Sequence, residues 1–204
     1  MKHIILCIIL IYVLLLIKDN RENLIHFIIS ILFDRSIKSI PLNKKLLKIV
    51  REDIIYKIKD YRDYTFIDFG SGYGNIIDEF KYDFHKLIGI ELETSSHKEA
   101  IQKLNHYNHI ILLNQNMETY QFPNENIILY MYESLFSIRD IIYNHVMKNL
   151  QKVNKKVYII YISENQIQNI WSNCELNIDN FILKDIKYGN LIPFERTIKI
   201  YESL

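Results

Sequence analysis

The chain is 204 residues long, 49% hydrophobic and 24% charged, with a formal net charge of +1. That length allows one domain plus extensions, and the near-neutral balance excludes a global basic field of the kind that marks nucleic-acid binders. The two cysteines, Cys7 and Cys174, match no metal-ligand or disulfide framework and suit a reducing compartment. Of the seven histidines, His106 and His109 lie nearest each other in sequence, and neither has Cys or carboxylate neighbours that would complete a zinc site, so no metal is expected.

Ile4 to Ile17 is an unbroken apolar run. As a helix it would span about 21 Å, against a hydrocarbon core of about 30 Å. Counting from Met1 brings it to the lower limit for a span. Lys2 gives it a basic start, but no small-residue cleavage site follows, only Lys18-Asp19-Asn20-Arg21-Glu22. An uncleaved membrane anchor is the preferred reading; a helix packed against the domain or a partner is the other. Leu24 to Phe33 is a shorter apolar stretch carrying His26 and Ser30. Residues 1–33 are therefore taken as a hydrophobic membrane-anchor segment. Lys18, Arg21, Arg35 and Lys38 follow the apolar stretches, which puts the remainder on the cytosolic side.

Residues 34–62 hold nine Lys/Arg against four Asp/Glu. Pro41 suits a first helical turn, and Leu42, Leu46, Leu47, Val50, Ile54 and Ile58 recur at helical spacing. This basic amphipathic helix leads into a domain at 63–204. Its charged face could meet anionic lipid or RNA phosphates, or simply be solvated.

Thr65 to Gly74, TFIDFGSGYG, organises the domain. The chain has five glycines, and Gly70, Gly72 and Gly74 fall within five residues. A β-type run precedes them and Asn75–Phe80 reads as a helix start. Strand, glycine turn and helix N-terminus together make a nucleotide cradle. A dinucleotide fingerprint would need glycine at position 75, where Asn75 stands. His85 to Glu91 is a second apolar strand ending in an acid, and Glu91 lies about 20 residues past the first glycine, the spacing at which a carboxylate meets ribose hydroxyls.

Strand and helix then alternate. Thr94–Asn105 reads as helix and Ile110–Leu113 as strand, followed by Asn114-Gln115-Asn116-Met117. Asn126–Tyr132 is a fourth strand, and Ile138, Ile141, Ile142, Val146 and Leu150 form a helical stripe. Lys156–Ile162 is a fifth strand, Gln166–Trp171 a short helix, and Phe181–Tyr188 with Arg196–Tyr201 a closing antiparallel pair. Trp171 and Tyr201 read as core. Strands separated by helical stripes imply an α/β parallel sheet.

The stretch Asp68-Phe69-Gly70-Ser71-Gly72-Tyr73-Gly74 resembles motif I of the class I S-adenosylmethionine (SAM) methyltransferases. Gly89-Ile90-Glu91 and Leu129-Tyr130-Met131-Tyr132-Glu133-Ser134-Leu135-Phe136 stand where that family has its next two landmarks, with Glu133 and Ser134 at positions usually Asn and Pro. The loop and the anchored layout also resemble the membrane-anchored lysine methyltransferases. The resemblance implies a Rossmann-like seven-stranded sheet, mostly parallel, with a closing antiparallel hairpin and helices on both faces. It implies SAM as cofactor. Asp68 would orient the glycine loop and the methionine end, Gly70, Ser71, Gly72 and Gly74 would form the loop, Glu91 would hold the ribose and Asn116 would meet the adenine amine.

Tyr132 and Glu133 fall at the carboxyl end of the fourth strand. Glu133 could accept an amine's hydrogen bond or proton, and Tyr132 could line the channel. The adenine N-methyltransferase signature is absent. Two readings of function stay open: a methyltransferase acting on a protein amine near a membrane, and an inactive methyltransferase-like fold serving as a membrane-bound scaffold.

Overall fold

The computed structural model describes residues 44–132, 146–164, 181–191 and 194–204, all of them within the second of two units that divide between Asn43 and Lys44. The apolar segments of 1–33, Pro41, Leu42, Glu133 to Phe136, Ile138 to Ile142, Gln166–Trp171 and Cys174 lie outside the described residues. Among the described residues no helix is long and apolar enough to cross a membrane.

Seven strands form one sheet: β1 Thr65–Phe69, β2 Lys86–Glu91, β3 Ile110–Asn114, β4 Ile127–Tyr132, β5 Val157–Glu164, β6 Phe181–Leu191 and β7 Phe194–Ser203. Their order is β3-β2-β1-β4-β5-β7-β6. The first five are parallel, and β7 runs antiparallel between β5 and β6. This is the sheet expected from the sequence, closing hairpin included. The order reverses at β1, whose neighbours are β2 and β4, so the topological switch point lies at the carboxyl ends of these strands.

β1 is buried at every residue, as a central parallel strand must be. Its alternation divides the core. Phe66 lies among Phe80, Phe84 and Tyr130, with ring centroids 5.0 to 6.0 Å away. Ile67 and Phe69 face the other way, into a cluster with Ile88, Ile90, Leu129, Met131 and Ile159. Tyr120 closes that cluster, with Val146, Met147 and Leu150 from the helical residues 146–150. Tyr201 belongs to it and is 4% exposed, a core residue as its position in the closing pair suggested.

The α-helices of the described residues include α1 Lys44–Lys48, α2 Asn75–Phe80 and α3 Thr94–Leu104. The sequence predicts one continuous helix through the lead-in. The structure instead continues α1 as a wide π-helical stretch, Ile49–Ile54, and then a tight turn, Ile55–Lys57. The β-branched Ile49, Val50, Ile54 and Ile55 crowd an α-helical turn, and the altered winding still buries Leu46, Leu47, Val50, Ile54, Ile55 and Ile58.

Arg51 fastens this lead-in to the domain. Its Nη1 donates to Glu79 Oε1 at 2.8 Å, Nη2 to the Glu79 carbonyl at 2.6 Å and Nε to Asp83 Oδ2 at 3.2 Å. The guanidinium also lies 4.9 Å from the Phe80 ring centre. Arg51→Ala should lower stability by about 2 kcal/mol, the scale of charge-assisted bonds at a half-buried site. Urea unfolding would show a lower midpoint at unchanged slope. Arg51→Lys should recover little, because an ammonium cannot reproduce the planar fork.

Candidate functional site

The glycine loop joins β1 to α2. Gly70, Gly72 and Gly74 all have positive φ, at 77°, 51° and 71°. A side chain there costs roughly 1–2 kcal/mol of backbone strain, which explains why a glycine-poor chain concentrates its glycines here. The loop is tied to β2 by its backbone: Gly70 N and Ser71 N both donate to the Ile90 carbonyl, at 2.9 and 3.1 Å. Gly74 N donates to the Ser71 carbonyl at 2.8 Å, closing the turn that starts α2. A Cβ on Gly74 would come within 2.8 Å of Leu104 Cδ1 and 3.2 Å of Ala100 Cβ, so Gly74 also lets α3 pack against the loop.

Glu91 ends β2. Its Oε2 accepts from Gly72 N at 2.8 Å and its Oε1 from Glu93 N at 2.7 Å. One carboxylate thus clamps the tip of the glycine loop and the start of the β2–α3 connection. Each oxygen retains a lone pair for a further donor. Gly89, one pleat earlier, faces Ser71: a Cβ there would lie 3.0 Å from Ser71 Oγ and 2.9 Å from Leu112 Cδ2. The absence of a side chain at 89 is what allows the buried Ser71 to sit down on β2.

Asp68 is the unusual group. It pairs in register with Gly89 on one side and Tyr130 on the other. It is 2% exposed, and its Oδ2 is buried with no hydrogen-bond partner among the described residues. Burial pushes its pKa up to about 8, and the nearby Glu91 charge pushes the same way. A buried carboxyl with an unsatisfied oxygen is suited to a cationic or hydrogen-bond-donating ligand group.

By strand alternation Asp68, Glu91 and Tyr132 fall on one face of the sheet, at the carboxyl ends of β1, β2 and β4. The sequence-predicted Asp68, Gly70, Ser71, Gly72, Gly74, Glu91 and Tyr132 therefore gather at the switch point. Tyr132 is half-buried; Glu133 lies outside the described residues. Asn116 caps a short turn, Met117–Thr119, its Oδ1 accepting from Glu118 N at 3.0 Å. Its loop is held to the end of β2 by Gln115 N donating to the Glu91 carbonyl at 3.1 Å.

Sequence reasoning missed two contributors. Asn114 staples the end of β3 to the β2–α3 connection: its Nδ2 donates to the carbonyls of Glu91 and Leu92, at 2.8 and 3.0 Å, and its Oδ1 accepts from Thr94 Oγ1 at 2.9 Å. Leu92, directly after Glu91, is 66% exposed. A leucine held out at a strand end beside a carboxylate is a signal that only the structure displays. Among the described residues no cluster of His, Cys, Asp or Glu could hold a metal ion.

No protein-family model matches the sequence, and no curated protein matches it. Solved structures do match the fold. The N-methyltransferase NodS from Bradyrhizobium japonicum WM9 superposes with a TM-score of 0.59 over 79% of this chain and 99% of its own, at 9% identity. The same enzyme in complex with S-adenosyl-L-homocysteine matches with a TM-score of 0.56 over 69% of this chain and 78% of its own, also at 9% identity. A SAM-dependent methyltransferase from Leishmania major gives 0.62 over 77% of this chain and 72% of its own, at 12% identity. The fold is that of the SAM-dependent methyltransferases. An RNA methyltransferase assigned as putative, from Pyrococcus horikoshii, shares it with a TM-score of 0.56 at 14% identity, over 78% of this chain and 80% of its own.

The Asp68 carboxyl sets a pH dependence whose sign is fixed. Its folded-state pKa lies above the unfolded value near 3.8, so the native state holds the extra proton. The stabilisation is full below pH 4 and is lost as the pH climbs toward 8, at about 1.4 kcal/mol per unit. Asp68→Asn should remove that slope. Chemical denaturation of both proteins between pH 4 and 8, without ligand, should show the variant gaining steadily on the unsubstituted chain.

Proposed function

We propose that this chain is a SAM-dependent methyltransferase whose acceptor is a protein amine of the lysine type, presented near a membrane. The observation that carries the reading is the gathering of Asp68, the positive-φ glycine loop and Glu91 on one side of the switch point. The residues present suit the cofactor chemically. A cradle of three glycines admits a ligand close to the backbone. Glu91 is oriented by two amides and keeps acceptor capacity for a diol. The orphaned Asp68 oxygen would receive a donor or cation from the methionine end. Leu92 offers an exposed apolar surface beside Glu91 for a base plane, with Asn116 in the adjoining loop.

Bound SAM would supply an activated methyl group on a sulfonium leaving group. The protein's task is then to position the acceptor and remove its proton, and positioning provides most of the acceleration. Tyr132 stands at the carboxyl end of β4 on the face of Asp68 and would line the acceptor's approach. Glu133 follows it in sequence and would accept the amine's proton. RNA as acceptor remains the alternative suggested by the Pyrococcus horikoshii structure. The near-neutral charge of the chain favours the protein.

Isothermal titration calorimetry of the full-length chain tests the cofactor. SAM and S-adenosylhomocysteine should bind and NAD should not, because Asn75 replaces the third fingerprint glycine. Gly72→Val should abolish binding, and Glu91→Ala should weaken SAM by roughly 1–3 kcal/mol. Tighter binding of NAD than of SAM would overturn the assignment.

The membrane half of the reading comes from residues 1–33 and their flanking charges, with the methyltransferase domain in the cytosol. Carbonate extraction should leave the full-length protein in the membrane pellet. Release into the supernatant would indicate an interfacial helix instead, and a soluble full-length protein would reject the anchor.

A further inference from the structure

The sheet's other end carries a surface of different character. Between Val146 and Ser163 the sequence holds Lys148, Lys152, Lys155 and Lys156 and no acid. Three of these stand at or just before the amino end of β5. There a cavity of about 620 Å³ opens between residues 150–157 and the paired ends of β6 and β7. Leu150, Val153, Val157 and Phe181 line it together with Lys155 and Lys156. Phe181 pairs with Ser203, and Lys156 Nζ donates to the Ser203 carbonyl at 2.9 Å.

Around this cavity large apolar side chains reach into solvent. Leu204 is 79% exposed, and Leu183, on the outermost strand β6 and on the same face as Phe181, is 43% exposed. Glu202, on the neighbouring strand β7, is held by Lys156 at 2.7 Å and Lys184 at 2.8 Å. Among the described residues no ion pair engages Lys148 or Lys155, and Lys152 Nζ donates only to Asn149 Oδ1 at 2.9 Å. Lys148, Lys152 and Lys155 are thus without a carboxylate partner among the described residues.

We propose that this face is a docking surface for an anionic lipid bilayer, its lysines meeting headgroup phosphates and carboxylates while Leu183 and Leu204 enter the interfacial layer. Two features favour lipid over nucleic acid. RNA backbone contacts need cations but not protruding leucines, and the exposed aliphatic side chains offer no π-face for base stacking. Lysines near an anionic membrane each contribute about fivefold in partitioning, and apolar insertion adds to this. The surface lies at the amino ends of the parallel strands and the glycine loop at their carboxyl ends. Docking here turns Asp68 and Glu91 away from the lipid, so that an acceptor would arrive from the aqueous side. The surface depends on neither the methyltransferase reading nor residues 1–33.

Site-specific fluorescence on the full-length chain tests it. Cys7 and Cys174 are replaced by serine, and an environment-sensitive nitrobenzoxadiazole label is placed at Leu183→Cys or, at the opposite end, at Leu92→Cys. Each protein is mixed with phosphatidylcholine vesicles, with and without phosphatidylserine. The label at 183 should shift to the blue when phosphatidylserine is present, and Lys152→Glu with Lys155→Glu should abolish the shift at unchanged melting temperature. The label at 92 should not respond. An equal response at 92, or none at 183, would overturn the proposal. So would binding of a single-stranded RNA, by anisotropy, that depends on the same lysines while the vesicles leave the label unchanged.

Discussion

A carboxyl group cut off from water at the end of the central strand is the constraint around which the carboxyl end of the sheet is arranged. Asp68 lies between Gly89 and Tyr130 and has an oxygen with no partner among the described residues. Keeping such a group costs stability whenever it ionises, and a fold tolerates that cost where a site requires it. Its neighbour Glu91 is also an acid, yet the two are treated oppositely. Asp68 is buried and unsatisfied, whereas Glu91 is half-buried and its two oxygens are both engaged by amides. Two carboxyl groups on one face, held in different environments, give the site one fixed acceptor and one group ready for a donor.

The economy of glycine stems from the same arrangement. Gly70, Gly72 and Gly74 supply three left-handed residues in a five-residue turn, a path that side-chain-bearing residues would take only under strain. Gly74 has a second duty, admitting Leu104 and Ala100 of α3, so that the loop is backed by packing as well as by hydrogen bonds. Gly89 performs the matching service on β2, leaving room for Ser71. The loop is thus held from three sides: by the Ile90 carbonyl, by the Glu91 carboxylate and by α3.

The described unit is also polar from end to end. Acids, glycines and exposed Leu92 collect at the carboxyl ends of β1 and β2, while lysines and exposed aliphatic residues collect at the amino end of β5 and on β6. The sheet itself, buried on both faces by the Phe66 group and by the cluster around Ile67, separates the two ends and keeps them apart. The lead-in contributes through Arg51, which ties two acids and a backbone carbonyl of the α2 region to the segment ahead of β1.

Much of this was legible in the residues. The strand–glycine–helix unit, the second strand ending in Glu91, the succession of parallel strands and the antiparallel close all rest on local signals: alternation, turn residues and spacing. The sheet has the predicted strands because those signals agree with one another along the chain. What the sequence could not contain was juxtaposition. Its periodicity placed one helix at 42–58, but crowding by β-branched residues and the anchoring of Arg51 belong to a winding found only in the folded chain. The burial of Asp68, the double engagement of Glu91, the staple at Asn114 and the exposure of Leu92 depend on which strand lies beside which. The lysines of 148–156 become part of a surface only where β5, β6 and β7 bring them alongside Phe181, Leu183 and Leu204. Local chemistry is written residue by residue, whereas desolvation and partnership are properties of neighbours far apart in the chain, and only the tertiary structure assigns those.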